Sequence, residues 1–237
     1  MDIKCIIKER QGALAEWLNV LNECIICGSE TREIYNRTFK VKYRHCGNCE
    51  FISKDPADWI SEEEELKIYN RHNNSIEDPR YVAFFKDFID SAVVPFVSNG
   101  RRGFDFGSGP SPVLATILER DYGFKMDIYD LYFSPNEVFK GKKYNLITST
   151  EVFEHLAEPV KYFKMLSAYL EDDGLLSVMT LFHPQDHQQF LDWYYMRDMS
   201  HISFYTVRTM QVISDLVGLE LLFTDRKRYT SFKLRKK

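Results

Sequence analysis

Between residues 101 and 120 the chain reads RRGFDFGSGPSPVLATILER: an apolar strand holding a carboxylate, two glycines one residue apart, and a proline-led helix. From there onward short apolar strands alternate with helices. The spacing predicts strands over 103–106, 124–130, 144–149 and 174–180, helices over 112–120, 159–170 and 206–217, and closing strands over 219–224 and 229–234. Such alternation builds an α/β fold, a parallel-rich sheet with helices on both faces. Ligands of these sheets bind beyond the carboxyl ends of the strands, which is where residues 105–109 fall.

The glycine turn decides what kind of ligand. A dinucleotide fingerprint is G-x-G-x-x-G, and here its third glycine position holds Pro112, with Ser111 placed to cap the helix. Asp105, two residues before the first glycine, would repel a pyrophosphate and suits an ammonium group. A ligand carrying both an ammonium and a carboxylate, such as the methionine end of S-adenosylmethionine, would use Asp105 for one. Backbone N–H groups of the turn would serve the other. Asp130 ends the strand FKMDIYD, 21 residues after Gly109. A carboxylate at that tip can accept ribose hydroxyl protons, whereas Asp127 lies inside the strand and needs its own partner.

Taken in order, D-x-G-x-G at 105–109, the acid after the second strand and YNLITSTEVFEHLAEP at 144–159 resemble a class I S-adenosylmethionine-dependent methyltransferase. The resemblance covers about residues 65–225. It implies a Rossmann-like seven-stranded, mostly parallel sheet with a reversed final hairpin. Asp105, Phe106, Gly107, Ser108 and Gly109 would form the methionine-binding loop, Asp130 would hold the ribose, and Thr150 with Glu151 would lie beside the cofactor. EVFEHL can equally be a capped helix start in which Glu154 and His155 serve structure alone, the reading favoured for His155. Only 13 residues separate Asp130 from Tyr144, too few for a helix and a full third strand, so strand three is expected to be reduced and the adenine contact stays unassigned.

Upstream, Cys24-x2-Cys27 and Cys46-x2-Cys49 stand 18 residues apart, the spacing of a zinc site. Two thiolates in each tight knuckle complete one tetrahedron and leave no open position, so the zinc is expected to be structural. Ile34, Tyr35, Phe39, Val41 and Tyr43 give the intervening segment the look of a ribbon that draws its stability from the metal. Cys5 stands alone as a small hydrophobe. Leu14, Trp17, Leu18 and Leu21 mark a helical face, Ser61 with Glu64 a capping box for a helix running towards His72, and Asp78-Pro79 the start of a helix with an aromatic core stripe. The expected organisation is a helix and zinc-ribbon module over 1–57, a helical connector over the cofactor site at 58–100, and the methyltransferase domain over 101–237.

A net charge of −4 opposes general coating of nucleic acid, although residues 31–44 hold five basic side chains and one acid. The apolar runs are short and interrupted, so no membrane span is expected, and the charged N-terminus argues for a cytoplasmic protein. Candidate bases cluster at 181–206, where three of the six histidines and several aromatics suit a substrate lid over about 181–205. HISFYT resembles the His-x-x-[Phe/Tyr]-x-[Ser/Thr] element of many such enzymes, including sugar C-methyltransferases with N-terminal zinc modules. It makes His201 the candidate general base or substrate contact, against a purely structural role. His183, His187 and Asp186 form a minor candidate metal set. The reading is a methyltransferase for a small-molecule acceptor. An rRNA or tRNA methyltransferase gripping RNA through the ribbon, and a non-catalytic interaction protein on a degenerate fold, stand as alternatives. Oligomeric state is not legible.

Overall fold

The computed structural model describes residues 22–71 and 75–236. The helical face at 14–21, Cys5 and His72 lie outside the described residues. The chain opens with β1 (Thr31–Asn36), β2 (Val41–Cys46) and β3 (Ile52–Lys54), followed by α1 (Glu62–Tyr69) and α2 (Pro79–Phe88). Ser61 and Glu64 close a reciprocal capping box on α1, and Asp78 caps α2 with Pro79 in its first turn. These local signals act as the sequence predicts because each satisfies an N–H that the helix itself cannot.

Then come β4 (Arg102–Phe106), α3 (Val113–Tyr122), β5 (Lys125–Tyr129), β6 (Tyr144–Thr150), α4 (Pro159–Ser167) and β7 (Leu170–Met179). The remainder is α5 (His187–Asp192), β8 (Ser203–Phe204), α6 (Val207–Val217), β9 (Leu219–Thr224) and β10 (Tyr229–Leu234). The main sheet has the order β5-β4-β6-β7-β10-β9, with β5, β4, β6 and β7 mutually parallel and β10 antiparallel to both its neighbours. Successive residues of the central strands are buried on opposite faces: Leu146 and Leu175 pack with α2 and α3, Ile147 and Leu176 with α4 and α6. Two covered faces explain why these strands read as unbroken apolar runs.

The reduction of strand three is complete. Residues 131–143 form turns, and the sheet has six strands among the described residues. Phe139 from this segment is buried against Phe104 and Tyr129, which anchors the turns without a strand. Helix α3 also starts later than expected. Pro112 is its N-cap and Val113 its first residue, with no side-chain cap from Ser111.

The segment carrying the cysteines does not rest on metal chemistry alone. Its sheet has the order β1-β2-β3-β8, and β8 comes from the HISFYT stretch, pairing Ile52 with Phe204 and Ser53 with Ser203. Ile34, Val41, Tyr43 and Ile52 share one buried cluster with Phe190, Met196 and Phe204. The buried ammonium of Lys54 donates to Met199 O at 2.7 Å, and Thr209 Oγ1 donates to Cys49 O at 2.8 Å. A truncation at the centre of this shared cluster tests the coupling. Phe204→Ala should cost about 3–5 kcal/mol, and hydrogen exchange should then quicken together in residues 31–54 and 187–204.

Candidate active site

A cavity of about 510 Å³ opens at the carboxyl edge of β4, β5 and β6. Its volume is in the range that encloses a cofactor-sized ligand. The sequence-predicted residues Asp105, Phe106, Gly107, Ser108, Gly109, Asp130, Thr150, Glu151 and His201 all line it. Topology brings them together. Parallel strands present their C-terminal ends on one side, so the residues that follow β4, β5 and β6 converge.

Gly107 and Gly109 adopt φ of +83° and +67°, the left-handed region that favours glycine. At Gly107 a Cβ would also lie 2.2 Å from Val152 Cγ2. The loop is held from within. Gly107 N and Ser108 N both donate to Tyr129 O, at 2.8 and 3.1 Å. Gly109 N donates to Asp130 Oδ2 at 2.9 Å, and Asp130 Oδ1 accepts from the backbone N–H groups of Tyr132 and Phe133. The N–H groups of Gly107, Ser108 and Gly109 thus all donate within the protein. Asp130 is thus a staple between the glycine loop and the turn after β5. Asp127 has the partners it needed, accepting from Lys142 Nζ and Tyr144 Oη at 2.7 Å each.

Asp105 is 2% exposed and accepts a 2.7 Å hydrogen bond from Thr148 Oγ1. Burial pushes its carboxyl up to about 7, with Thr148 opposing and Asp130 adding to the rise. Glu151 follows β6 at φ +53°, and its Oε2 accepts from Tyr195 Oη at 3.0 Å. Tyr195 Oη also lies within hydrogen-bond reach of Glu154 Oε1, so its one proton is shared between the two carboxyls. Burial raises the Glu151 carboxyl, and it raises Glu154 well above the usual range with Glu151 contributing.

Glu154 and His155 are not a helix start. They sit in a short 3-10 turn, Phe153–His155, and both line the cavity. The sequence signal was their position, one turn past a strand's carboxyl end. His201 is 7% exposed, its Nδ1 lies 2.8 Å from Tyr195 O, and burial lowers its imidazole to about 3. Other lining residues include Tyr81, Phe84 and Phe85 of α2 and Glu65 and Tyr69 of α1. An aromatic stripe at helical spacing reads as core, and here one edge of it covers the cavity.

The minor metal set separates. Asp186 caps α5 through Gln189 N, His183 Nε2 lies 2.7 Å from Glu50 O, and His187 Nε2 lies 2.9 Å from His45 Nδ1. The four cysteines do converge. Their sulfurs lie within 4.8 Å of one another, Cys24 to Cys49 at 3.4 Å and Cys27 to Cys46 at 3.5 Å. A tetrahedral ion with ligands at about 2.3 Å spaces its sulfurs by roughly 3.8 Å, and a disulfide would need about 2.05 Å. The thiols therefore fit one zinc ion and no disulfide. Gly28 closes the first knuckle at φ +69°.

A parallel-rich sheet with a reversed closing hairpin, here of six strands among the described residues, and an acid-lined cavity at its carboxyl edge are the fold of the class I S-adenosylmethionine-dependent methyltransferases, one strand short of their seven. The family model described as Methyltransferase domain matches residues 78–223, and the chain belongs to that family. Among solved structures it is similar to an O-methyltransferase family protein from Burkholderia thailandensis, at 12% identity, covering 73% of this chain and 68% of that one with a TM-score of 0.51. It is also similar to a chain from a complex containing the Haloferax volcanii Trm112 methyltransferase activator, at 12% identity, covering 75% and 99%, with a TM-score of 0.52. No curated protein shows a significant sequence match. Among the described residues no helix is long and apolar enough to cross a membrane.

The Asp105 carboxyl makes a prediction independent of any ligand. Its folded value, about 7, lies above the ordinary 3.8, so the folded chain holds a proton that the unfolded chain has lost between those values. Its stabilising contribution is therefore lost as pH rises from about 4 to about 7. Asp105→Asn should melt higher than the wild type above pH 7 without ligand, the gap closing towards pH 4.

Proposed function

We propose that the chain transfers the methyl group of S-adenosylmethionine to a small-molecule acceptor. The observation that carries this reading is one cavity with Asp105 at the base of the glycine loop and the polar groups of Glu154, His155, Asp198 and His201 along another stretch of its wall. When bound, the cofactor supplies an activated sulfonium whose C–S bond breaks with its electron pair returning to sulfur.

The residues of this chain supply the rest. Asp105 would hold the ammonium, and its carboxyl, kept near neutrality by burial, ionises once a cation sits beside it. Asp130 is already positioned at the tip of β5, and its remaining lone pairs would accept ribose hydroxyls. Thr150 and Glu151 line the segment between cofactor and acceptor. Phe84, Phe85 and Tyr81 exclude water above them, which strengthens the electrostatics inside. A histidine held near 3 is poorly matched to taking a proton alone at neutral pH, so His201 would act with its neighbours.

A small acceptor is favoured by enclosure: Glu154 is fully buried and His201 nearly so. An RNA acceptor has one supporting observation. Tyr35 and Phe39 of the ribbon hairpin are 45% and 39% exposed beside Arg37 and Lys40. RNA affinity that falls steeply with salt, with methylation of the bound RNA, would favour it.

Calorimetry tests the reading. S-adenosylmethionine or its demethylated product should bind, more tightly as pH rises towards 7 and constantly above it. Asp105→Ala should lose affinity by on the order of 100-fold, the scale of removing one member of a buried charge pair. Absence of binding to both compounds would overturn it. We also propose a structural zinc on Cys24, Cys27, Cys46 and Cys49. Metal analysis should find one zinc per chain, lost in Cys27→Ser together with several degrees of melting temperature.

A further inference from the structure

Asp105 is not the sole buried carboxyl of the cavity wall. Glu151 and Glu154 line it from the turn that follows β6. They lie within hydrogen-bond reach of each other, and the Tyr195 hydroxyl serves both. Glu154 is fully buried and is also within hydrogen-bond reach of Thr180, just past β7. Glu151 holds φ at +53°, a left-handed conformation that a bulky residue adopts at a cost.

An ionised carboxylate only accepts hydrogen bonds, so two carboxyls in contact hold a proton between them. Like charges that close do not both ionise near neutrality, and the pair titrates as a unit. Its two halves are unequal. Burial raises both, the charge of Glu151 raises Glu154 further, and Tyr195 with Arg228, in the turn before β10, lowers Glu151. The proton therefore rests on Glu154 and the negative charge on Glu151. The other ionisable groups facing the pair are Tyr81 of α2, Tyr205 after β8, and His155 and His201, whose ring nitrogens lie within 4.8 Å of a Glu154 oxygen. Burial raises both tyrosines and lowers His201 to about 3, so those three stay uncharged near neutral pH.

Glu151 shares its space with Asp105. Their strands are neighbours, with Asp105 opposite Thr148 and Glu151 just beyond the end of β6. Tyr81 of α2 lines the same cavity, and its hydroxyl feels the charge of both Asp105 and Glu151. The methionine end of the cofactor carries two positive charges, an ammonium and a sulfonium, separated by three carbons. Asp105 suits the first, and Glu151 offers a second negative charge in the same part of the cavity.

We propose that Glu151, its charge localised by a neutral Glu154, forms a subsite that selects the sulfonium form of the cofactor over the neutral thioether left after transfer. Within the methyl-transfer reading, on which this rests, both forms carry the ammonium, so Asp105 treats them alike. Glu151 distinguishes them: its attraction for the charged form is lost with the methyl group. The spent cofactor is then held less tightly, which favours its exchange for a fresh one. The Glu151 carboxyl is raised above the ordinary 4.5. Its charge, and with it the preference, is present above that raised value and lost as pH falls through it.

Calorimetry of S-adenosylmethionine and its demethylated product on the full-length chain tests the subsite through the ratio of their affinities. At about pH 8 the wild type should favour the charged form roughly 10-fold, and the preference should fade as pH falls towards about 5. Protonation of Asp105 weakens both compounds and cancels in the ratio. Glu151→Gln should abolish both the preference and its pH dependence. If that variant fails to fold, which circular dichroism reports, the pH dependence of the wild-type ratio carries the test. A ratio that does not change with pH, or a preference that survives Glu151→Gln, overturns the subsite alone. Failure of both compounds to bind at any pH overturns the methyl-transfer reading. The carboxyl pair is then read without ligand, by carbon-13 NMR of the glutamate-labelled chain. A neutral glutamate carboxyl at about pH 8 that disappears in Glu154→Gln upholds the shared proton, and its absence from the wild type sinks it.

Discussion

Burial of carboxyl groups around a single cavity is the constraint on which the rest of this structure depends. Asp105, Glu151 and Glu154 are withdrawn from water at the ends of two adjacent parallel strands, β4 and β6. A hydrophobic interior penalises each of them, and only hydrogen bonds, protons or cations can offset that penalty. Thr148 serves Asp105, and the single hydroxyl of Tyr195 serves both glutamates. Among the described residues the cavity wall is therefore rich in buried carboxyls.

Asp198 and His201 line the cavity from a loop that packs against the ribbon. The loop between α5 and α6 contributes β8 to the ribbon sheet, and Lys54 secures Met199 two residues before His201. What the sequence divides into a metal-stapled module and a mobile-looking lid is packed as one apolar cluster around Tyr43, Phe190 and Phe204. The cysteine-bearing ribbon thereby bears on the loop that brings Asp198 and His201 to the cavity wall, although its cysteines lie elsewhere. A structural ion can matter to catalysis through the geometry it imposes on a loop.

Local rules made most of the fold legible. The helix caps at Ser61 and Asp78, the glycine turn at 107–109 and the strand–helix alternation from 102 to 234 all act within a few residues, and each was readable. The convergence of the four cysteines was readable because paired C-x2-C knuckles suit one tetrahedral site. The pairing of β3 with β8 was not, since a two-residue strand has no periodicity and its partner lies 150 residues away. Asp130 was placed correctly at the strand tip, but its bonds to Gly109, Tyr132 and Phe133 depend on a turn that exists only because strand three is gone. Glu154 and His155 looked like ordinary helix-start residues until the fold brought His201 beside them.

The loss of strand three has a consequence for the molecule's edge. It leaves β5 as the outermost strand, with one row of backbone groups facing outward where another chain could add itself. The side chains along it answer this hazard. Lys125 is exposed, Asp127 is paired with Lys142, and the 131–143 turns fold back with Phe139 inserted beneath. Charge and a covering loop thus guard a border that the missing strand would otherwise have closed, and sheet-to-sheet association is discouraged at the side of the fold nearest the cofactor loop.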